Sequence, residues 1–194
     1  ELNDVAMGTP YEWKSGKNKE GLVSVFGRLS YNFKERYLFT GTLRADGSSK
    51  FARGNQWGIF PSASAAWRIS EEEFLKDVDF LNNLKLRVGY GTAGNNNIDD
   101  NMYTTGYGSG HYGIAGQDYI TFVPGSTLGN KDLKWEKTTT TNVGLDISLF
   151  NSRVNLALDW YNNESSNLLI KNKIPTTTGY ADQYQNLGSI RNRG

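Results

Sequence analysis

The chain has 194 residues, enough for one ordinary domain, with 37% hydrophobic and 21% charged side chains. Its 21 basic and 20 acidic residues are spread along the chain for a net charge of +1, which argues against a phosphate-tracking surface and a nucleic-acid partner. The absence of cysteine excludes a disulfide framework, a thiolate metal site and a thiol nucleophile, and no apolar run reaches the ~18 residues of a transmembrane helix.

Glu1–Gly21 reads as the tail of a long connection. It lacks a basic stretch followed by an apolar one, so any export leader is expected outside the chain. Leu22–Phe33 is the first strand, with Val23, Val25, Gly27, Leu29, Tyr31 and Phe33 on one face and Ser24, Phe26, Arg28, Ser30 and Asn32 on the other. After only Lys34–Arg36, Tyr37–Asp46 repeats the pattern: Tyr37, Phe39, Gly41, Leu43 and Ala45 oppose Leu38, Thr40, Thr42, Arg44 and Asp46. Gly47–Trp57 is a long connection, and Gly58–Ile69 sets Ile59, Pro61, Ala63, Ala65, Trp67 and Ile69 against Phe60, Ser62, Ser64, Ala66 and Arg68. Pro61 removes a ladder donor and is expected near the strand start or at a bulge.

Ser70 followed by Glu73 has the form of a capping box and predicts a one- to two-turn helix through Phe74, Leu75 and Val78. Leu84–Ala93 alternates Leu84, Leu86, Val88 and Tyr90 with Lys85, Arg87, Gly89 and Gly91. The very long Gly94–Lys134 connection leads to Trp135–Phe150, which sets Thr141, Val143, Leu145, Ile147 and Leu149 against Asn142, Gly144, Asp146 and Ser148. A two-residue turn, Asn151–Ser152, leads into Arg153–Asn163, where Val154, Leu156, Leu158 and Trp160 oppose Asn155, Ala157, Asp159 and Tyr161. Glu164–Asn186 is again long, and a seventh strand begins near Ser189.

The connections decide the architecture. In an up-and-down sheet every second one lies at the same end, so Gly47–Trp57, Gly94–Lys134 and Glu164–Asn186 share one end while the tight turns and the predicted helix share the other. Outer-membrane β-barrels have this asymmetry, and strands of ten or more residues match their tilted spans of about 9–11 residues. Tyr31, Phe33, Tyr37, Phe39, Trp67 and Phe150, near strand ends, suit an interfacial girdle. A soluble sandwich also alternates, but its strands average about 5–6 residues and it seldom carries so long a loop. Six or seven strands fall short of the roughly eight that close the smallest membrane barrel, so the expectation is one slice of a larger one. Isolated, such a slice would have open edges and an oily face, and is expected to be poorly soluble.

Several stretches resemble the SusC/RagA family of TonB-linked outer-membrane receptors: Tyr31–Leu38, Leu43–Phe51, Trp57–Ser70, Leu84–Asn95, Leu128–Glu136, Thr176–Tyr180 and Asn186–Gly194. The match covers most of residues 21–194, most weakly over Asn96–Val123. The resemblance implies an all-β, antiparallel up-and-down segment of a transmembrane barrel of about 22 strands around a plug. It implies active import, usually of oligosaccharides and sometimes of peptides, with a SusD-like surface lipoprotein as lid. It also implies a TonB complex acting through a plug that lies outside this chain, and a location among outer-membrane lipid in a Gram-negative bacterium. Residues 1–194 are then part of one receptor barrel, with strands near 22–33, 37–46, 58–69, 84–93, 135–150 and 153–163 and long loops at 47–57, 94–134 and 164–186. The rival readings are a passive porin or structural barrel, and a soluble surface glycan-binding β-domain.

The residues themselves offer no coherent catalytic, metal or cofactor set. Gly89–Gly94 spells G-x-G-x-x-G, but Asn95, Asn96 and Asn97 follow where a dinucleotide site needs a helix. Asn95, Asn97, Asp99 and Asn101 alternate like calcium ligands, yet Asp100 and Gly106 stand where that loop needs Gly and Glu. His111 is the single histidine, and Glu71–Glu73 suit a helix first turn. Arg28, Arg44, Asp46, Arg68, Lys85, Arg87, Asp146 and Asp159 fall on the polar face and are candidates for a lumen wall or plug contacts. Tyr103, Tyr107, His111, Tyr112 and Tyr119 crowd the longest connection, where aromatic faces suit a sugar ring or a lipoprotein lid.

Overall fold

The computed structural model describes residues 19–75, 78–114 and 117–194. In chain order the strands are β1 (Leu22–Phe33), β2 (Tyr37–Ser48), β3 (Trp57–Arg68), β4 (Leu81–Asn95), β5 (Tyr107–Ile114), β6 (Gln117–Pro124) and β7 (Thr127–Leu128). They continue with β8 (Glu136–Leu149), β9 (Val154–Ser166), β10 (Leu169–Lys173), β11 (Asp182–Asn186) and β12 (Ser189–Arg193). Seven form one antiparallel sheet in the order β1-β2-β3-β4-β8-β9-β12, while β10-β11-β7 and the β5-β6 hairpin form two small sheets inside the long connections.

Cross-strand partners share a face, so the ladder carries each strand's alternation across the whole sheet. Tyr31, Phe39, Ala65, Val88, Val143 and Trp160 make one apolar row, and Ser30, Thr40, Ser64, Gly89, Asn142 and Tyr161 a polar row behind it. The apolar face is uncovered: Leu29 is 77% exposed and Val25 64%. The apolar stretch does not stay at one level. It runs Val23–Phe33 on β1 and Val154–Trp160 on β9, centred near Arg28 and Ala157, yet the register leads from Arg28 through Thr42, Ser62, Gly91 and Thr140 to Asn163. From β1 to β9 the band therefore slides six residues toward the short-turn end.

Two expectations for the short-turn end are corrected. The predicted helix is replaced by a 3-10 turn, Ile69–Glu71, without a side-chain cap, followed by successive i→i+3 bonds to Leu81. Tertiary bonding explains this: Glu72 is extended, and its carboxylate accepts from the Tyr37 hydroxyl (2.7 Å), the Trp67 indole (3.0 Å) and Arg36 (3.0 Å). The Ser70 hydroxyl, expected to cap, has no partner. The two-residue hairpin is a four-residue loop, since Leu149 pairs with Val154 and Phe150, Asn151 and Ser152 have positive φ. Pro61 lies within β3, where the pairing to β4 begins only at Ser62; its carbonyl takes a bond from Thr92 of β4, so its missing N–H points toward a ladder that has already ended.

Tyr31 stacks on Phe33 and Tyr37 on Trp67 at this end, with Phe33 and Tyr37 in tilted contact between them, and Phe80 meets Phe150. The Tyr37 and Trp67 hydrogen bonds, and then Arg36, hold the Glu72 carboxyl below its ordinary range against the opposing push of burial. A depressed folded-state value adds stability above the ordinary carboxylate range of about 4–5, lost as pH falls through the folded value. Glu72→Gln is expected to flatten the acid limb of thermal stability in detergent; an unchanged acid limb would refute the clasp.

Candidate functional site

The polar face of the main sheet carries three zones along the strands. Near the long connections, Arg44 Nε donates to both Asp46 oxygens at 2.8 Å, and its Nη2 to Ser24 at 3.2 Å. Nearer the short turns, Arg87 donates to both oxygens of Asp146 at 2.8 Å and to Asp159 at 3.0 Å, with Lys85 and Arg68 in the next row. Gly144 makes that bridge possible, because a Cβ there would meet the guanidinium carbon of Arg87 at 2.8 Å. Between the two clusters lie rows of small hydroxyl, amide and glycine residues: Thr42, Ser62, Gly91 and Thr140, then Ser30, Thr40, Ser64, Gly89 and Asn142. Arg28, bonded to Thr42 at 3.3 Å, stands in that middle zone.

Arg68 is turned to the rim instead, paired with Glu71 at 3.2 Å. The eight candidates thus divide between an upper pair, a lower bridged cluster and three further cations, Arg28, Lys85 and Arg68. Every charge of the two clusters is satisfied within the wall, which leaves a hydrated surface with few free charges.

Above the upper pair sits a core that sequence reasoning missed. Phe51 and Leu133 are fully buried, and Phe60, Ile98 and Trp135 join them, with Met102, Leu169 and Tyr184 packed around. Phe60 projects from the polar face of β3, and the others come from the three long connections and their margins. Trp135 packs on Phe51 and Phe60 at 5.4 and 5.6 Å between ring centres and donates its indole N–H to the Gln56 carbonyl at 2.9 Å. Asn186 Nδ2 bonds the Lys134 and Asn167 carbonyls at 2.8 and 2.9 Å, and Asn130 bonds that of Tyr184 at 2.9 Å. The connections are thereby sewn into a cap at one end of the wall. Gly94, last in the nucleotide-like run, lies so close to the Phe60 ring that a Cβ would overlap it. The available signal was the pair Leu43–Phe51 and Leu128–Glu136, polar stretches in which Phe51, Leu133 and Trp135 are isolated apolar residues.

The aromatic candidates do not form one patch. Tyr112 and Tyr119 pair on one face of the β5-β6 hairpin, whereas Tyr107 and His111 lie on the other with Ile120 and Phe122, which is 85% exposed. Tyr103 sits in the turn before the hairpin. The calcium-like run is spent on loop bonds: Asn95 accepts from the Asn97 N–H and donates to Glu136, and Asp99 accepts from Tyr184.

An antiparallel up-and-down wall, apolar outside and polar inside, with its long connections gathered at one end, is the wall of a large β-barrel. The family model for the TonB dependent receptor-like β-barrel matches residues 2–194, and the chain belongs to that family. It is 45% identical over 179 residues to the TonB-dependent receptor SusC of Bacteroides thetaiotaomicron, covering 89% of this chain and 18% of that receptor. It is 37% identical over 177 residues to the TonB-dependent receptor P3 of Formosa agariphila, covering 91% of this chain and 18% of that protein. Among solved structures, the RagAB peptide importer in its open-open state superposes with a TM-score of 0.80 at 28% identity, over 99% of this chain and 21% of that one. The closed-closed state gives 0.79 at 31%, over 89% and 18%. The chain therefore spans about a fifth of the length of these relatives.

Proposed function

We propose that this chain is part of the barrel wall of an outer-membrane importer that takes up oligosaccharides, works with a SusD-like surface lipoprotein and draws its energy from the TonB complex through a plug outside residues 1–194. The diagonal apolar band carries this reading. A slide of six residues at ~3.3 Å each, over five strand spacings of ~4.8 Å, corresponds to a tilt of about 40°, within the 35–45° of membrane barrels. A band that is level in the membrane and oblique to the ladder is what tilted, lipid-facing strands require. Aromatic residues trace both margins: Trp57, Tyr90 and Trp160 at the loop end, and Tyr31, Phe33, Tyr37 and Trp67 at the other.

On this reading Arg28, Arg44, Asp46, Lys85, Arg87, Asp146 and Asp159 hydrate the inner wall and face the plug, with Arg68 at the rim. Tyr103, Tyr107, His111, Tyr112 and Tyr119 present rings to the sugar or the lid. The exposed tyrosine faces support an oligosaccharide substrate. A peptide is the second reading, because the similar solved structures are of a peptide importer.

The test is uptake of labelled oligosaccharides and peptides by cells expressing the full receptor and its lipoprotein, with and without a protonophore. Accumulation of oligosaccharide that collapses with the protonophore is the expected result. Uptake that persists without a proton gradient would establish a passive porin instead.

A further inference from the structure

The register that carries the apolar band across the sheet also shows where it stops. On β8, β9 and β12 the outward positions beyond Val143 and Trp160 are Thr141, Asn162 and Arg193, then Thr139, Glu164 and Arg191, then Lys137, Ser166 and Ser189. These nine positions form a patch of three rows on three strands, about 10 Å wide and 13 Å long at ordinary strand spacing and rise. It holds three cations, one carboxylate and five neutral hydrogen-bonding side chains, without an apolar residue. The first of these rows continues through Tyr90 to Ala63 and Gly41, and the outward positions beyond it on β3 and β2 are Pro61 and Leu43, then Ile59 and Ala45. The polar patch is thus a local feature of one side of the wall.

We propose that this patch binds the phosphate of a lipid headgroup in the leaflet facing the long connections; the proposal rests on the outer-membrane reading above. Its position supplies the first argument. It begins directly beyond Trp160, an aromatic at the band margin, so it stands at headgroup depth, while its outward face is turned to lipid. Charge supplies the second. Arg191 and Arg193 project on the same face of β12, and Lys137 stands across β9 from them.

The single acid, Glu164, is committed to Arg191, whose Nη2 and Nε lie 2.7 and 3.2 Å from the same carboxylate oxygen. That contact holds the guanidinium along the wall. Its remaining N–H groups, and those of Arg193, suit the fork geometry that binds phosphate oxygens in pairs. Thr139, Thr141, Asn162 and Ser189 add neutral hydrogen-bonding groups around them, while the Ser166 hydroxyl donates to the Lys137 carbonyl at 3.3 Å. A phosphate joined to acyl chains fits better than a free one, because the apolar band continues without a break from the patch to receive the chains.

The test uses the full-length receptor in detergent, with bound lipid read by native mass spectrometry. The probes are bisphosphorylated lipid A, the same lipid with its phosphates removed, and inorganic phosphate. Outer-membrane fractionation of every variant is measured first, so that failure of the membrane reading is seen separately from failure of this one.

The wild-type receptor is expected to retain lipid A, and the K137Q/R191Q/R193Q variant to bind it at least about fivefold more weakly, the contribution of a single surface cation to an anionic lipid. Dephosphorylated lipid should bind the wild type equally weakly. Glu164→Gln should keep or raise lipid A binding, since it removes the one opposing charge. Equal binding by the wild type and the triple variant would overturn the proposal, as would indifference to the lipid phosphates. Displacement of the lipid by an equal concentration of inorganic phosphate would also overturn it, by showing an anion site without lipid preference.

Discussion

Trp135→Ala is expected to release the cap from the wall while the barrel strands stay assembled. The indole fills the space between Phe51 and Phe60 and ties the β2-β3 connection through the Gln56 carbonyl, so its loss removes packing and one half-buried hydrogen bond together. Large-to-small changes of this kind cost about 3–5 kcal/mol where surroundings cannot collapse, and Leu133 and Phe51 are already fully buried. The cost falls on the connections, because the main sheet has its own ladder and needs the cap for none of its pairings. Limited proteolysis in detergent should therefore cut the 96–135 and 167–188 segments in the variant and spare them in the parent. The heat-modifiable folded band on a gel should persist in both. Equal protease resistance would show that the cap is held by something other than this core. Loss of the folded band would show that the cap is needed for the wall to form.

The second large effect tests the oblique band. Ala63, Tyr90 and Thr141 lie in one row of the sheet, yet the tilt puts Ala63 near the middle of the apolar band and Thr141 just beyond its margin. A lipid-facing arginine costs about 2–4 kcal/mol at the bilayer midplane and about 0–1 kcal/mol near the interface. Ala63→Arg should thus lower the unfolding free energy of the vesicle-inserted receptor by the larger amount, and Thr141→Arg by the smaller. Denaturant titration of both variants in lipid vesicles measures the difference. A protein layer covering the outward face along the rows would penalise the two alike, and equal costs would rule out tilted, lipid-facing strands.

Much of the wall was legible in the residues. Strict alternation over ten or more positions, as in Tyr37–Asp46, sets which side chains share a face, because the side-chain period of a strand is two wherever it lies. The run of long and short connections likewise set which ends lie together. The nucleotide-like Gly89–Gly94 run was rejected on its local context, and it is strand, with Gly94 beneath the Phe60 ring. Where reading failed, a distant partner had overruled a local signal. The capping box at Ser70–Glu73 gave way because Tyr37 of β2, Trp67 of β3 and Arg36 of the β1-β2 turn claim the neighbouring Glu72. The β5-β6 hairpin escaped because Tyr107–Pro124 mixes glycine and aromatics with no apolar alternation on either face.

The amino-acid order alone was enough for the strands of the main sheet, their two faces, the end-to-end asymmetry and the family. Those properties are local or nearly so, and backbone geometry enforces them residue by residue. The tilt of the apolar band, the Arg87–Asp146–Asp159 bridge across three strands and the burial of Phe51, Leu133 and Trp135 in one core depended on the folded sheet. Each depends on register between segments far apart in the chain, and a register is a sum over many pairings that no single stretch of residues contains.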